Sequence, residues 1–141
     1  MSTLTPSFGA RAFGRHILAA GKGSFVNIGL MSGTIAKRPQ PQTAHNMSKV
    51  AAVHHLTPSL AGGWAGKGVR VNAVAPRYIE TPLVTAIPEN APRILIWLND
   101  TPMGRKGQVD EVASVVLFLA SDAASLITGA NVALDGGFTI W

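Results

Sequence analysis

Apolar and polar positions alternate along the chain in two periods. From about Ser7 to Ala20 the apolar positions Phe8, Ala12, Phe13 and Ile17 fall at helical spacing between basic residues, and "GKG" at 21–23 supplies the glycine stop. "SFVNIG" (24–29) is short, apolar and partly β-branched, the pattern of a buried strand. "KRPQPQ" (37–42) is a loop, because two closely spaced prolines cannot sit inside an element. Helical periodicity returns from Thr43 to about Trp64, with breakers inside it. "VRVNAVAP" (69–76) predicts a second buried strand that ends at a proline. A helix is expected from about Leu83 to Asn99, with Pro88 and Pro92 breaking its start. "QVDEVASVVLFLASDAA" (108–124) gives the cleanest helix, with acids in its first turn and Val112, Val115, Val116 and Leu119 on one face. "GANVALDGG" (129–137) predicts a last strand stopped by glycines.

Buried strands that alternate with helices imply right-handed crossovers and a parallel sheet, so the fold class is α/β. The 141 residues fit a single domain, 1–141, and show no internal repeat. Hydrophobic residues make up 47% and charged residues 13%, a balance that suits a packed interior rather than a disordered chain. The net charge of +5 raises the question of nucleic acid. The twelve lysines and arginines are scattered, without a cluster of interleaved aromatics, so no nucleic-acid partner is expected. With no cysteine, disulfide and thiolate chemistry are excluded. His16, His45, His54 and His55 lack zinc-site spacing, and adjacent His54 and His55 point in different directions on a helix, so no metal is expected. No signal-type or membrane-length apolar run occurs, which leads to the expectation of a cytoplasmic protein with no membrane partner.

Five ordered blocks carry something more specific: "GSFVNIG" before a loop, "HNMSK" (45–49), "VRVNAVAP" followed by "YIETPL", "TPMGR" (101–105), and "VLFLASDAASLITGANVALDGG" (116–137). Together they resemble the short-chain dehydrogenase/reductase family over nearly the entire chain, with "HNMSK" where that family has Tyr-x-x-x-Lys. "MSG", the Pro/Gln loop and the ending "DGGFTIW" look most like the branch acting on polyols and ketoses. The resemblance implies a Rossmann-like, doubly wound parallel sheet, of which this chain supplies the equivalents of strands 5, 6 and 7 with their helices. The Gly-rich turn that cradles the pyrophosphate of NAD or NADP belongs to the other half. No such turn occurs here: "AGGWAGKG" (61–68) sits at a helix end, where its glycines suit turns and caps. The expectation is that this chain alone does not bind the cofactor.

The family's chemistry, an NAD(P)-dependent interconversion of alcohol and carbonyl, uses a tyrosine as proton donor and a lysine that lowers its pKa and binds the nicotinamide ribose. A serine orients the substrate, and an asparagine holds a relay water. By resemblance Lys49 stands at the lysine position and His45 at the tyrosine position. Anchored on "VNIG", the serine position falls on Leu30, which cannot hydrogen-bond. Ser32 lies thirteen residues before His45, a serine-to-tyrosine spacing common in the family. Thr3 stands where asparagine is expected. On the cofactor side the resemblance implies Lys49, Pro76, Ile79 and Thr81 near the nicotinamide. Pro-Gly of the family has become Pro76-Arg77, so strain is expected at Arg77.

An imidazole suits acid–base work near neutral pH. It also reaches roughly 2 Å less than a phenol, and about 1 Å of misplacement can cost on the order of 100-fold. Lys49 beside it would disfavour the protonated form needed to donate. Pro58 and the pair Gly62–Gly63 interrupt the helix after Lys49. An interior proline costs about 3 kcal/mol, so a kink is expected where the family builds its subunit interface. The reading is an oxidoreductase by lineage, truncated and inactive alone. One rival is an active oxidoreductase using His45 and Ser32 with a partner supplying the nucleotide site. Another is a non-enzymatic module that pairs, as a homo- or hetero-oligomer, with full-length relatives.

Overall fold

A computed structural model describes residues 5–36, 46–86 and 91–140. Helix α1 (Thr5–Ala19) leads through a turn into β1 (Gly23–Ile28). Gly21 takes φ +66°, a left-handed conformation that its missing Cβ makes cheap, so "GKG" ends the helix as its glycines predict. A 3₁₀ turn (Met31–Gly33) follows β1. A π-helical turn (Asn46–Ala51) runs directly into α2 (Ala52–Trp64). Strand β2 (Val69–Pro76), the short α3 (Pro82–Thr85), α4 (Ala91–Asn99), α5 (Val109–Ala120) and β3 (Asn131–Leu134) complete the order.

The three strands form one parallel sheet in the order β1-β2-β3, with Gly23 opposite Val69 and Pro76 opposite Leu134. The central strand is buried from Val71 to Pro76, which explains its mostly apolar run, and the one polar residue, Asn72, is satisfied by donating to Ile127 O (2.8 Å) and accepting from Ala130 N–H (3.1 Å). Each face of the sheet is covered. On one side Val69, Val71 and Ala61 pack with Ile17, Phe25 and Trp64, so α1 and α2 lie there. On the other, Val74, Leu119 and Ala124 pack with Val26, Val112, Val115 and Val116, the face of α5 read from its spacing. Phe25 and Val26 belong to opposite clusters, as the two-residue period of a strand requires. Arg70 ties α5 to the sheet by donating to the carbonyls of Leu119 (2.8 Å) and Ser121 (2.9 Å), a cation at the helix C-terminus.

Three expectations need correction. The segment 46–64 opens with a π-helical turn rather than as one α-helix. The helix expected over about 83–99 is described as the short α3 and as α4, with Pro92 in the first turn of α4, and Pro88 lies outside the described residues. Pro58 does not break α2, which is continuous from Ala52 to Trp64. A proline at 58 removes the donor for the carbonyl of His54. Asn131 Nδ2 donates to that carbonyl at 3.0 Å, so the group orphaned by Pro58 is satisfied from the sheet. Gly129, next to that segment, takes φ +77°, a left-handed conformation that side chains other than glycine rarely adopt. Among the described residues no helix is long and apolar enough to cross a membrane.

Candidate functional site

A parallel sheet gathers the C-terminal ends of its strands at one edge, where open α/β sheets place their ligands. Three exit segments meet that edge: 29–34 after β1, 77–81 after β2 and 135–139 after β3. The candidates Leu30 and Ser32 lie on the first, Ile79 and Thr81 on the second, and Pro76 ends β2 itself.

After β1 the Gly29 N–H donates to Val74 O at 2.8 Å, extending the strand pairing by one residue. Leu30 follows in extended backbone (φ −160°, ψ 148°) and is half-buried. Ser32 is 5% exposed, and its Oγ has no hydrogen-bond partner among the described residues. The 3₁₀ turn packs against the π-helical turn that carries the Lys49 backbone. The structure therefore brings the elements of Ser32 and Lys49 together. The Lys49 side chain, His45 and Thr3 lie outside the described residues.

His54, expected to be no more than a partly buried or surface histidine, holds this exit segment from behind. A Cβ added to Gly29 would stand 2.9 Å from His54 Nε2, and one added to Gly33 would stand 2.9 Å from His54 Nδ1. Only glycine lets the backbone pass this close to the ring. Thr34 Oγ1 and His54 Nδ1 are 3.3 Å apart. Burial pulls the imidazole below its usual 6.5, partly opposed by a hydrogen bond with the Leu30 backbone. A neutral ring so placed fixes the turn that presents Leu30. Its signal in the sequence was a histidine on a helix face with glycines upstream, which has no period to expose it.

After β2 the chain is braced on two sides. Arg77 N–H donates to Leu134 O (3.0 Å), Gly107 N–H to Tyr78 O (3.0 Å), and Glu80 N–H to Gly107 O (2.8 Å). Ile79 is thereby bridged to Gly107, whose own Cβ would meet Ile79 Cδ1 at 2.7 Å. Glu80 takes Lys106 Nζ (2.7 Å) and Gln108 Nε2 (3.0 Å). Pro76 is buried, and Thr81 caps the short α3 in extended backbone. Arg105 makes two contacts to Glu111 (2.6 and 2.9 Å), and the Gln108 N–H adds another (2.7 Å). Arg105 and that N–H hold the Glu111 carboxyl at about 2.

The strain expected at Arg77 is absent: no non-glycine residue among those described has a positive φ. Arg77 is instead 6% exposed. Its Cζ lies 2.9 Å from the centroid of the Phe138 ring and 4.4 Å from that of Tyr78. Tyr78 stacks on Trp97 with centroids 3.7 Å apart and planes 7° apart. Burial lowers the Arg77 pKa to about 10, against the nearby charges of Tyr78, Asp100 and Asp135. Burial raises Tyr78 to about 12, with Arg77 opposing. The sequence offered only a departure from Pro-Gly; the aromatic partner, Phe138, is 61 positions away.

The residues present do not fit a whole dinucleotide. Pro76, Ile79 and Thr81, expected near the nicotinamide, lie at the strand-exit edge. A pyrophosphate needs a glycine turn leading from a strand into a helix N-terminus. Among the described residues, the glycines with positive φ are Gly21, Gly68, Gly104, Gly129, Gly136 and Gly137. Gly21 and Gly68 follow helical turns and lead into strands, Gly136 and Gly137 lie in the turn after β3, and none of the six connects a strand directly to a helix.

The family model described as Enoyl-(Acyl carrier protein) reductase matches residues 2–139. The chain belongs to the short-chain dehydrogenase/reductase family. Among its relatives in that family is the galactitol 2-dehydrogenase of Rhizobium johnstonii, 64% identical over 132 residues, covering 94% of this chain and 51% of that protein. The L-tagatose-forming galactitol 2-dehydrogenase of Cereibacter sphaeroides is 52% identical over 132 residues, covering 94% and 52%. The crystal structure of a gluconate 5-dehydrogenase from Burkholderia cenocepacia J2315, in complex with NADP and tartrate, superposes with a TM-score of 0.84 at 35% identity, covering 94% and 51%. The sub-family resemblance to polyol-type members is thus supported, as is the α/β class with a Rossmann-like parallel sheet. The chain spans about half the length of these relatives.

Proposed function

We propose that this chain forms the substrate-side half of an NAD(P)-dependent alcohol/carbonyl oxidoreductase of the polyol–ketose type, and that the 141 residues do not turn over substrate alone. Lineage supports the reaction class, and the strand-exit edge supports the place. In this reading Lys49 faces the nicotinamide ribose, Pro76, Ile79 and Thr81 line the nicotinamide side, and His45 occupies the proton-donor position. Residues 1–141 act as one unit.

The observation that carries the lack of turnover is the exit of β1. Leu30 takes the position of the orienting serine and offers no hydrogen bond, while Ser32 is 5% exposed. A hydroxyl so buried cannot orient a substrate oxygen without the turn reopening, and the positioning of reacting groups carries much of such catalysis. With Leu30→Ser and His45→Tyr together, the serine and tyrosine of the family would be restored without a pyrophosphate cradle. The expected result is no NAD(P)H-dependent ketose reduction by the double variant, measured as loss of absorbance of the reduced cofactor. Measurable turnover would mean that the chain carries a nucleotide site, and the half-site reading would fail.

A further inference from the structure

Of the two adjacent imidazoles on α2, His55 is exposed and His54 is wedged behind the turn that follows β1. The fit is close on two sides. Added Cβ atoms at Gly29 and Gly33 would each meet the ring at 2.9 Å, and the one at Gly33 would also meet Val50 Cγ1 at 2.9 Å. His54 Nε2 is closed to solvent, and Nδ1 stands 3.3 Å from Thr34 Oγ1. The turn in front of the ring is a single 3₁₀ turn, closed by Gly33 N–H on Leu30 O (3.0 Å) and Thr34 N–H on Met31 O (2.9 Å). It buries Met31 and Ser32.

Among the described residues no acid is placed to receive a charge on this ring. The exit segment 29–34 has no titratable side chain, and neither has β1. Strand β2 carries only Arg70, which is bound to the Leu119 and Ser121 carbonyls, and β3 carries none. Asn131, the β3 residue that reaches the His54 carbonyl, is neutral. On the π-helical turn the one titratable residue is Lys49, a cation whose side chain lies outside the described residues. A hydroxyl and a backbone carbonyl can accept from a cationic ring, but neither neutralises it. Burial lowers the affinity of the ring for a proton, and the Leu30 backbone opposes this only in part.

We infer that His54 is a pH-sensitive latch on the 29–34 turn: neutral, it holds the turn closed over Met31 and Ser32, and protonated, it lets the turn open. The closed turn holds the ring's pKa below the ordinary 6.5, so the open turn binds the proton better. The latch is therefore whole above 6.5 and weakens as the pH falls below it. Opening returns Ser32 to the strand-exit edge. That this access matters to catalysis rests on the half-site reading, whereas the latch is read without cofactor or substrate, so either can fail alone.

The test is methionine oxidation by dilute hydrogen peroxide on the 141-residue chain, at about pH 8 and about pH 5, read by peptide mass spectrometry. Met31 is buried, and the exposed Met103, outside the turn, is the internal reference. Oxidation of Met31 relative to Met103 should rise severalfold at the lower pH, while hydrogen exchange of β2, corrected for pH, stays slow. In His54→Gln the ratio should no longer depend on pH. Should that variant fail to fold, Gly33→Ala decides in its place: its Cβ would crowd His54 Nδ1, and Met31 should already be reactive at about pH 8. A Met31 ratio that does not change with pH, a change that persists in folded His54→Gln, faster exchange of β2 at the lower pH, or a Met31 still protected in Gly33→Ala would overturn the latch.

Discussion

Arg77 and Tyr78 are neighbours whose titrations are displaced in opposite senses by the same burial. Tyr78 keeps its proton to about 12 in the folded chain, against a usual 10. The stability linked to it is complete below pH 10 and is lost as pH rises from 10 to 12, because the unfolded phenol ionises first. Arg77 acts the other way: its depressed pKa of about 10 burdens the fold below that pH, and the burden is relieved on going higher. Tyr78 is the sole tyrosine, so phenolate absorbance reads it alone. Rapid-mixing titration of the folded chain should give a midpoint of about 12, falling to about 10 in strong denaturant. A folded-state midpoint of about 10 would mean that the Tyr78–Trp97 stack is not buried. This residue-scale detail was only partly legible. The substitution at 77 stood out against the family pattern, but its partners Phe138 and Trp97 are distant in sequence. Strain was therefore inferred where the chain instead built a stack.

Strand β2 was readable to the residue, because three valines within six positions of a mostly apolar stretch ending in proline leave little choice. The buried face of α5 was readable because helical spacing is local. At the same element scale the fate of α2 was not. Pro58 argues for a break from local rules alone, and its remedy, Asn131, is 77 positions from the residue whose carbonyl it serves. The π-helical start of the same segment likewise has no mark in the sequence. If Asn131 compensates Pro58, the two positions are coupled. Asn131→Ala should cost about 1 kcal/mol in the parent chain, measured by urea unfolding. It should cost much less in a Pro58→Ala background, where the backbone N–H regained at position 58 can serve His54 O and the asparagine is no longer needed. Additive losses in the double-mutant cycle would show that the 3.0 Å contact does not stabilise the helix.

For the whole molecule the deciding fact is an open side. Among the described residues the sheet runs β1-β2-β3, so β1 is an edge with no charged side chain in "GSFVNI" to discourage pairing. Phe8 (60% exposed) and Phe13 (64%) on α1, Ile28 (58%) at the end of β1, and Leu117 (71%) on α5 leave apolar surface on both layers. Sedimentation of the purified chain should show oligomers rather than a tight monomer. A monodisperse monomer would contradict this and argue for an independent small domain. The same open side is where a nucleotide-binding half would lie in the family fold, so binding of the cofactor is the central question. Calorimetric titration of the 141-residue chain with NADH and with NADPH tests it most directly. The account predicts no saturable heat, because among the described residues no positive-φ glycine leads from a strand directly into a helix to cradle a pyrophosphate. Sub-millimolar affinity for either cofactor would contradict it.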